Sequence, residues 1–228
     1  MRRTRASLLC AATYPDPGRA REDGTPHPPR RVRGSSRFGI GLLVGWGSGW
    51  GWRMVDVVVP GPADDGLVDA VAELLEAQVR AGAALGWVEP PPRAEIAELI
   101  GGILADGPGE AACAVARDAG ELVGFGYWRR YARPTHRPHA DLEKLAVAPS
   151  ASRRGIGRAV LRALVASARA AGVEQLTLDF RGDNHAAERL YRSEGFVEYG
   201  RLAGFVAPAD GTRHDKVLHV KDLRAPTG

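Results

Sequence analysis

Cysteine is nearly missing from this chain of 228 residues: Cys10 and Cys113 are the only two, one in a polar head and one in an apolar run. Thiols so few and so far apart exclude a disulfide framework and fit a reducing cytoplasm. No cluster of His, Cys, Asp and Glu has metal-ligand spacing, so no metal is expected. Long hydrophobic runs are missing as well. The run FGIGLLVGWGSGWGW, from Phe38 to Trp52, is too short and too rich in glycine for the ~20 residues of a membrane-spanning helix. A leader peptide is not expected either, because the apolar stretch ASLLCAAT is cut off by Tyr14, Pro15 and Asp16.

An excess of one charge is missing from the part that should fold. The formal net charge is +4, but residues 1–53 hold 10 basic and 3 acidic side chains, which leaves 21 basic against 24 acidic for the rest. A nucleic-acid partner could therefore rest only on the head, and neither nucleic acid nor membrane is expected as a partner of the remainder. Arg, Pro, Gly and Ser dominate residues 1–53, with no repeat at 2.0 or 3.6 residues, which predicts a disordered head. Met54 is the expected natural start, because the first credible strand, MVDVVV, begins there.

What is present from Met54 onward alternates between two periods. Leu67, Val71, Leu74 and Leu75 predict a helix ending near Gly82, and Ile96, Leu99, Ile100 and Ile103 predict a second one beyond the loop GWVEPPP. AACAVARDAGELVGFGYWRRY reads as two strands about an Asp-Ala-Gly turn, and HADLEKLAVAP as a further strand. A third helix starts at Gly155, with Ile156, Val160, Leu161, Leu164, Val165 and Ala168 on one side. EQLTLDF alternates as a half-buried strand, and Asp183 or Asn184 caps a short helix that stops at Gly195. Two late strands close the chain, for an order β-α-α-β-β-β-α-β-α-β-β. That is an α+β, or mixed α/β, single domain over residues 54–228.

The segment SRRGIGRAVL, Ser152 to Leu161, places two glycines and three arginines where a helix begins. Gly155 and Gly157 let an anion approach the backbone, and Arg153, Arg154 and Arg158 supply charge suited to a pyrophosphate. A P-loop is excluded, because Gly157 is followed by Arg158 and Ala159 instead of Lys and Ser or Thr. A dinucleotide fingerprint fails at Val160, which stands where the third glycine belongs.

LEKLAVAPSASRRGIGRAVLRAL resembles the acyl-coenzyme A motif of the GNAT superfamily of N-acyltransferases, whose pattern is Arg/Gln-x-x-Gly-x-Gly/Ala. Ser152 departs from it at the first position. The later segment DNHAAERLYRSEGFVEYGR resembles the second motif of the same family, and the closing strands loosely resemble the tabtoxin-resistance acetyltransferases. The resemblance implies a mostly antiparallel sheet with one splayed strand pair, flanked by helices. It implies acetyl-coenzyme A as acyl donor, with backbone groups of Leu145, Ala146 and Val147 along the pantetheine arm. The turn Arg153, Arg154, Gly155, Ile156, Gly157 and Arg158 would take the pyrophosphate, with Asn184 and Ala187 as further contacts. Tyr191 matches the family's general acid.

Asp141 and Glu143, placed by alternation on one face with Leu145 and Val147, are alternative bases, and a water relay is the third option. Trp87, Glu89, Tyr127, Asp179 and Phe205 are candidates for lining the acceptor site, and Asn184 can equally be a plain helix cap. The function this implies is direct acetyl transfer to the amine of a small molecule or amino-acid-like acceptor, in a protein that could be a homodimer. A catalytically silent acyl-coenzyme A sensor is the other reading.

Overall fold

A computed structural model of the chain describes residues 39–45, 52–58 and 65–224. Residues 1–38, most of the expected basic head and Cys10 with it, lie outside the described residues. In chain order the elements are β1 Gly39–Gly45, β2 Trp52–Val58, α1 Asp65–Arg80, α2 Arg93–Asp106, β3 Ala111–Asp118, β4 Glu121–Arg130, β5 His139–Val147, α3 Ile156–Ala170, β6 Gln175–Arg181, α4 His185–Ser193, β7 Val197–Val206 and β8 His214–Asp222. From β2 onward the order is the one the sequence predicts. The addition is β1, which falls inside the stretch read as disordered and pairs antiparallel with β2. Three glycines among its seven residues hide any period of two.

The strands form one sheet in the order β1-β2-β3-β4-β5-β6-β8-β7. The neighbours are antiparallel except β5 and β6, which run parallel. Helices cover both faces. On one face α1 and α2 bury Val71, Leu75, Ile96 and Ile100 against Val115, Phe125 and Tyr127. On the other, α3 buries Ile156, Val160, Leu161 and Leu164 against Ala114, Trp128, Leu142 and Leu178, with Tyr191 of α4 alongside. The indole of Trp128 is wholly enclosed, and its N–H, its one polar group, donates to Ser167 Oγ at 2.7 Å. Among the described residues no helix is long and apolar enough to cross a membrane.

Candidate active site

Two features of β5 open the sheet at its centre. The parallel ladder to β6 runs from His139↔Gln175 only to Leu142↔Leu178; beyond that rung the two strands are not paired. On the other side Phe125 pairs with Ala146 and Tyr127 with Glu143, so Gly126 faces two residues, Lys144 and Leu145. Lys144 sits at φ 54°, a bulge that adds one residue and bends the strand. The result is a fork with β5 backbone along one wall, the splayed pair expected from the sequence. One of those backbone groups is taken: the Val147 carbonyl accepts from Gln78 Nε2 of α1 at 2.7 Å.

The bulge also corrects the sequence reading of β5. Strict alternation puts Asp141, Glu143, Leu145 and Val147 together, but the extra residue reverses the face beyond Lys144. Leu145 and Val147 pack with the α3 core, whereas Ala146 joins the α1 and α2 core. Asp141 and Glu143 pair opposite Arg129 and Tyr127, on the α1 and α2 side.

The head of α3 points into this region. Gly155 is its N-cap at φ 78°, a left-handed position that glycine occupies without strain. Having no side chain, it caps nothing. The first turn closes with Ala159 N–H to Gly155 C=O at 3.0 Å, which leaves the amides of Ile156, Gly157 and Arg158 without intrahelical acceptors. Such a helix end attracts an anion with phosphate oxygens.

The arginines divide their work. Arg153 is exposed and has no ion pair among the described residues. Arg154, read from sequence as charge for the turn, is directed to Asp118 Oδ2 at 2.7 Å, a nearly buried pair that fastens the turn to the end of β3. Arg158 meets Glu194 at 2.9 Å and Ser193 Oγ at 3.1 Å but stays half exposed.

Opposite this turn, α4 carries the second set of predicted residues. Asn184 is its N-cap, with Oδ1 accepting from Ala187 N–H at 3.0 Å, so the Ala187 amide is already engaged. Tyr191 is buried between Phe180 and Phe196, with ring centroids 5.5 and 5.9 Å away. Its hydroxyl has no hydrogen-bond partner among the described residues. Burial, and then the charge of Asp179, hold it well above the usual phenol range, so it stays protonated.

A sequence profile described as the Acetyltransferase (GNAT) family matches residues 70–196, more than half of the chain. The chain belongs to that family. A mycothiol acetyltransferase of Propionibacterium freudenreichii is 39% identical over 101 residues, 44% of this chain and 32% of that protein. The aminoglycoside N(6')-acetyltransferase type 1 of Klebsiella aerogenes is 34% identical over 119 residues, 51% of this chain and 77% of that protein. The chain spans about a third of the mycothiol enzyme and about half of a ribosomal protein bS18-alanine N-acetyltransferase of Escherichia coli, to which it is 38% identical over 79 residues. Among solved structures, a GNAT superfamily phosphinothricin acetyltransferase of Sinorhizobium meliloti in complex with AcCoA aligns with a TM-score of 0.68 at 24% identity, covering 76% of this chain and 90% of that one. At that identity the likeness concerns the fold.

The residues read from the sequence as candidates for the base and the acceptor site lie mostly around β5, β6 and the loop after α1. Asp141 is half-buried and its Oδ1 accepts from Thr177 Oγ1 at 2.6 Å. Burial raises its carboxyl above the usual range, the Thr177 hydrogen bond lowers it, and Glu143 and Asp179 raise it again. Glu143 is more open, with Lys144 Nζ at 3.9 Å. Asp179, proposed from sequence to hold a cation, already holds one: Lys216 Nζ lies at 2.9 Å. Tyr127 does not line an open site, being 3% exposed in the core with Phe125. Trp87 is half-buried and donates to Glu95 Oε1 at 2.7 Å; Glu89 and Phe205 are exposed.

Three residues of this region went unread in the sequence. Lys144 donates to the Leu85 carbonyl at 2.8 Å and stacks over the Trp87 ring at 4.1 Å, tying the loop after α1 to the bulge. Thr177 and Tyr131 join Asp141 in one chain of hydrogen bonds. Their signals were weak: a lysine inside an alternating strand reads as solvent-facing, and Tyr131 lies 46 residues from Thr177.

Proposed function

We propose that the chain is an acetyl-coenzyme A-dependent N-acetyltransferase that acts by direct transfer to the primary amine of a small-molecule or amino-acid-like acceptor. The observation that supports it best is the fork between β5 and β6 beside the uncapped head of α3. The residues fit the donor: bare amides at Ile156, Gly157 and Arg158, with Arg153 exposed beside them, suit the pyrophosphate, and the fork suits the extended pantetheine arm. Bound there, acetyl-coenzyme A supplies an acetyl thioester.

Everything else is done by this chain's side chains. A carboxylate of β5 takes a proton from the acceptor's ammonium, because only the neutral amine is nucleophilic. Tyr191, held protonated, gives its proton to the departing sulfur and is restored, directly or through water, by the second proton that the nitrogen loses as it becomes an amide. Cys113 is no intermediate acyl carrier: it is 1% exposed and burial pushes its thiol up to about 12, so no thiolate forms near neutral pH. The likeness to an aminoglycoside acetyltransferase, and the carboxylates Asp141 and Asp179 on one stretch of sheet, support a cationic small amine. Cysteine usage favours the cytoplasm.

The test is thiol release by the full chain from acetyl-coenzyme A against a panel of aminoglycosides, amino acids and polyamines, alongside Tyr191→Phe. Turnover with one amine class, lowered roughly 10²–10⁴-fold in Tyr191→Phe with donor binding intact, is the expected result. Tight coenzyme A binding with no turnover on any amine would favour the sensor, and absence of binding would sink both readings.

A further inference from the structure

Three carboxylates face the acceptor side, and their partners separate them. Glu143 has the Lys144 ammonium at 3.9 Å, and Asp179 is ion-paired with Lys216 at 2.9 Å. Each of these two carboxylates already has an ammonium beside it. Asp141 has no cation within ion-pair distance among the described residues; its partner is neutral, the Thr177 hydroxyl at 2.6 Å. It also sits at the right place, one residue before Leu142, whose rung is the last before the strands part.

The direction of the hydrogen bonds follows from counting protons. Thr177 has one hydroxyl hydrogen and two acceptors in reach, Asp141 Oδ1 at 2.6 Å and the Ala140 carbonyl at 3.2 Å. The charged, nearer oxygen takes it. Tyr131, whose oxygen lies 2.6 Å from Thr177 Oγ1, is then the donor to Thr177. The chain Tyr131 to Thr177 to Asp141 spans three strands or their ends, occupies one carboxylate oxygen and leaves Oδ2 for the acceptor.

We infer that Thr177 and Tyr131 are positioning residues that orient Asp141 as the base of the reaction, an inference that rests on the proposed acetyl transfer. The proton passes from the acceptor's ammonium to Oδ2, giving a neutral amine and a carboxylic acid that returns its proton to water after release. Thr177 stabilises the carboxylate form and so keeps the base ionised at lower pH. The other groups facing Asp141 are Glu143 on its own strand, Asp179 on β6, Lys216 on β8, Tyr199 on β7, and on β4 or its end Tyr127, Tyr131 and Arg129, which stands directly across the ladder and is ion-paired with Asp106 at 3.0 Å. None of them changes in the variants below except Tyr131 itself.

The experiment is the pH profile of kcat/KM for one fixed amine acceptor in the wild type, Thr177→Val, Thr177→Ser and Tyr131→Phe. With the acceptor fixed, its own titration is common to all four. In Thr177→Val the acid limb moves up by about half to one pH unit, which is a roughly 3–10-fold loss below the limb. Thr177→Ser keeps the wild-type limb, Tyr131→Phe moves it less in the same direction, and the KM for the donor is unchanged throughout. An unmoved limb in Thr177→Val, with activity lowered equally at every pH, would make the threonine merely structural and overturn the inference. Should Thr177→Val fail to fold, Tyr131→Phe decides by the same criterion. A wild type that acetylates no amine would instead defeat the transferase reading itself.

Discussion

A single buried thiol and a single buried ion pair show how individual residues divide between chemistry and support. Cys113 lies in β3 under α1 and α2, where burial removes its reactivity. In a Cys10→Ser background the folded protein should leave a thiol reagent unreacted for as long as it stays folded, and Cys113→Ala should retain transfer activity. Rapid modification without unfolding would show the site to be open. Asp118 is the counterpart. Removing it in Asp118→Ala leaves the Arg154 guanidinium nearly buried without that carboxylate, and a loss of about 3 kcal/mol is expected in urea unfolding. The double variant Asp118→Ala/Arg154→Met, which removes both charges, should lose less.

Among the elements, α3 carries the clearest expectation. A Cβ at Gly155 meets nothing within 4 Å, so Gly155→Ala suffers only from its left-handed backbone, about 1 kcal/mol by denaturant titration. Coenzyme A binding to the bare amides beside exposed Arg153 should weaken as salt rises, and Arg153→Ala should flatten that dependence in a calorimetric titration. A steep dependence in the variant would place the phosphates elsewhere. The helices α1 to α4 were legible because their apolar residues recur at helical spacing, and the α3 turn because glycine and arginine say what backbone and charge do there. The bulge was not legible. Nothing in LEKLAV marks Lys144 as an extra residue, since a bulge arises from how β4 meets β5 and not from either strand alone. For the same reason Arg154 was misread: its partner Asp118 lies 36 residues earlier, at the end of another strand.

At the scale of the molecule, acid stability depends on a residue outside the proposed chemistry. His219 of β8 is wholly enclosed, with Phe180 edge-on at 5.0 Å, and neither ring nitrogen has a hydrogen-bond partner among the described residues. Burial lowers its pKa, so as pH falls the unfolded chain takes the proton first. The stability His219 allows is full above its unfolded pKa near 6.5 and is lost below it. His219→Leu should therefore be at least as stable as the wild type at pH 7.5 and should lose less on going to pH 5.5. Urea midpoints that fall in parallel for both proteins would refute this. The bulge at Lys144 also has a consequence for the whole chain. It acts as a spatial frame shift: Asp141 and Glu143 before it share the α1 and α2 side while Leu145 and Val147 after it face α3, so paired substitutions at Asp141 and Val147 should combine additively, and deleting Lys144 should keep both sets on their faces while straightening β5 and losing the tie to Trp87.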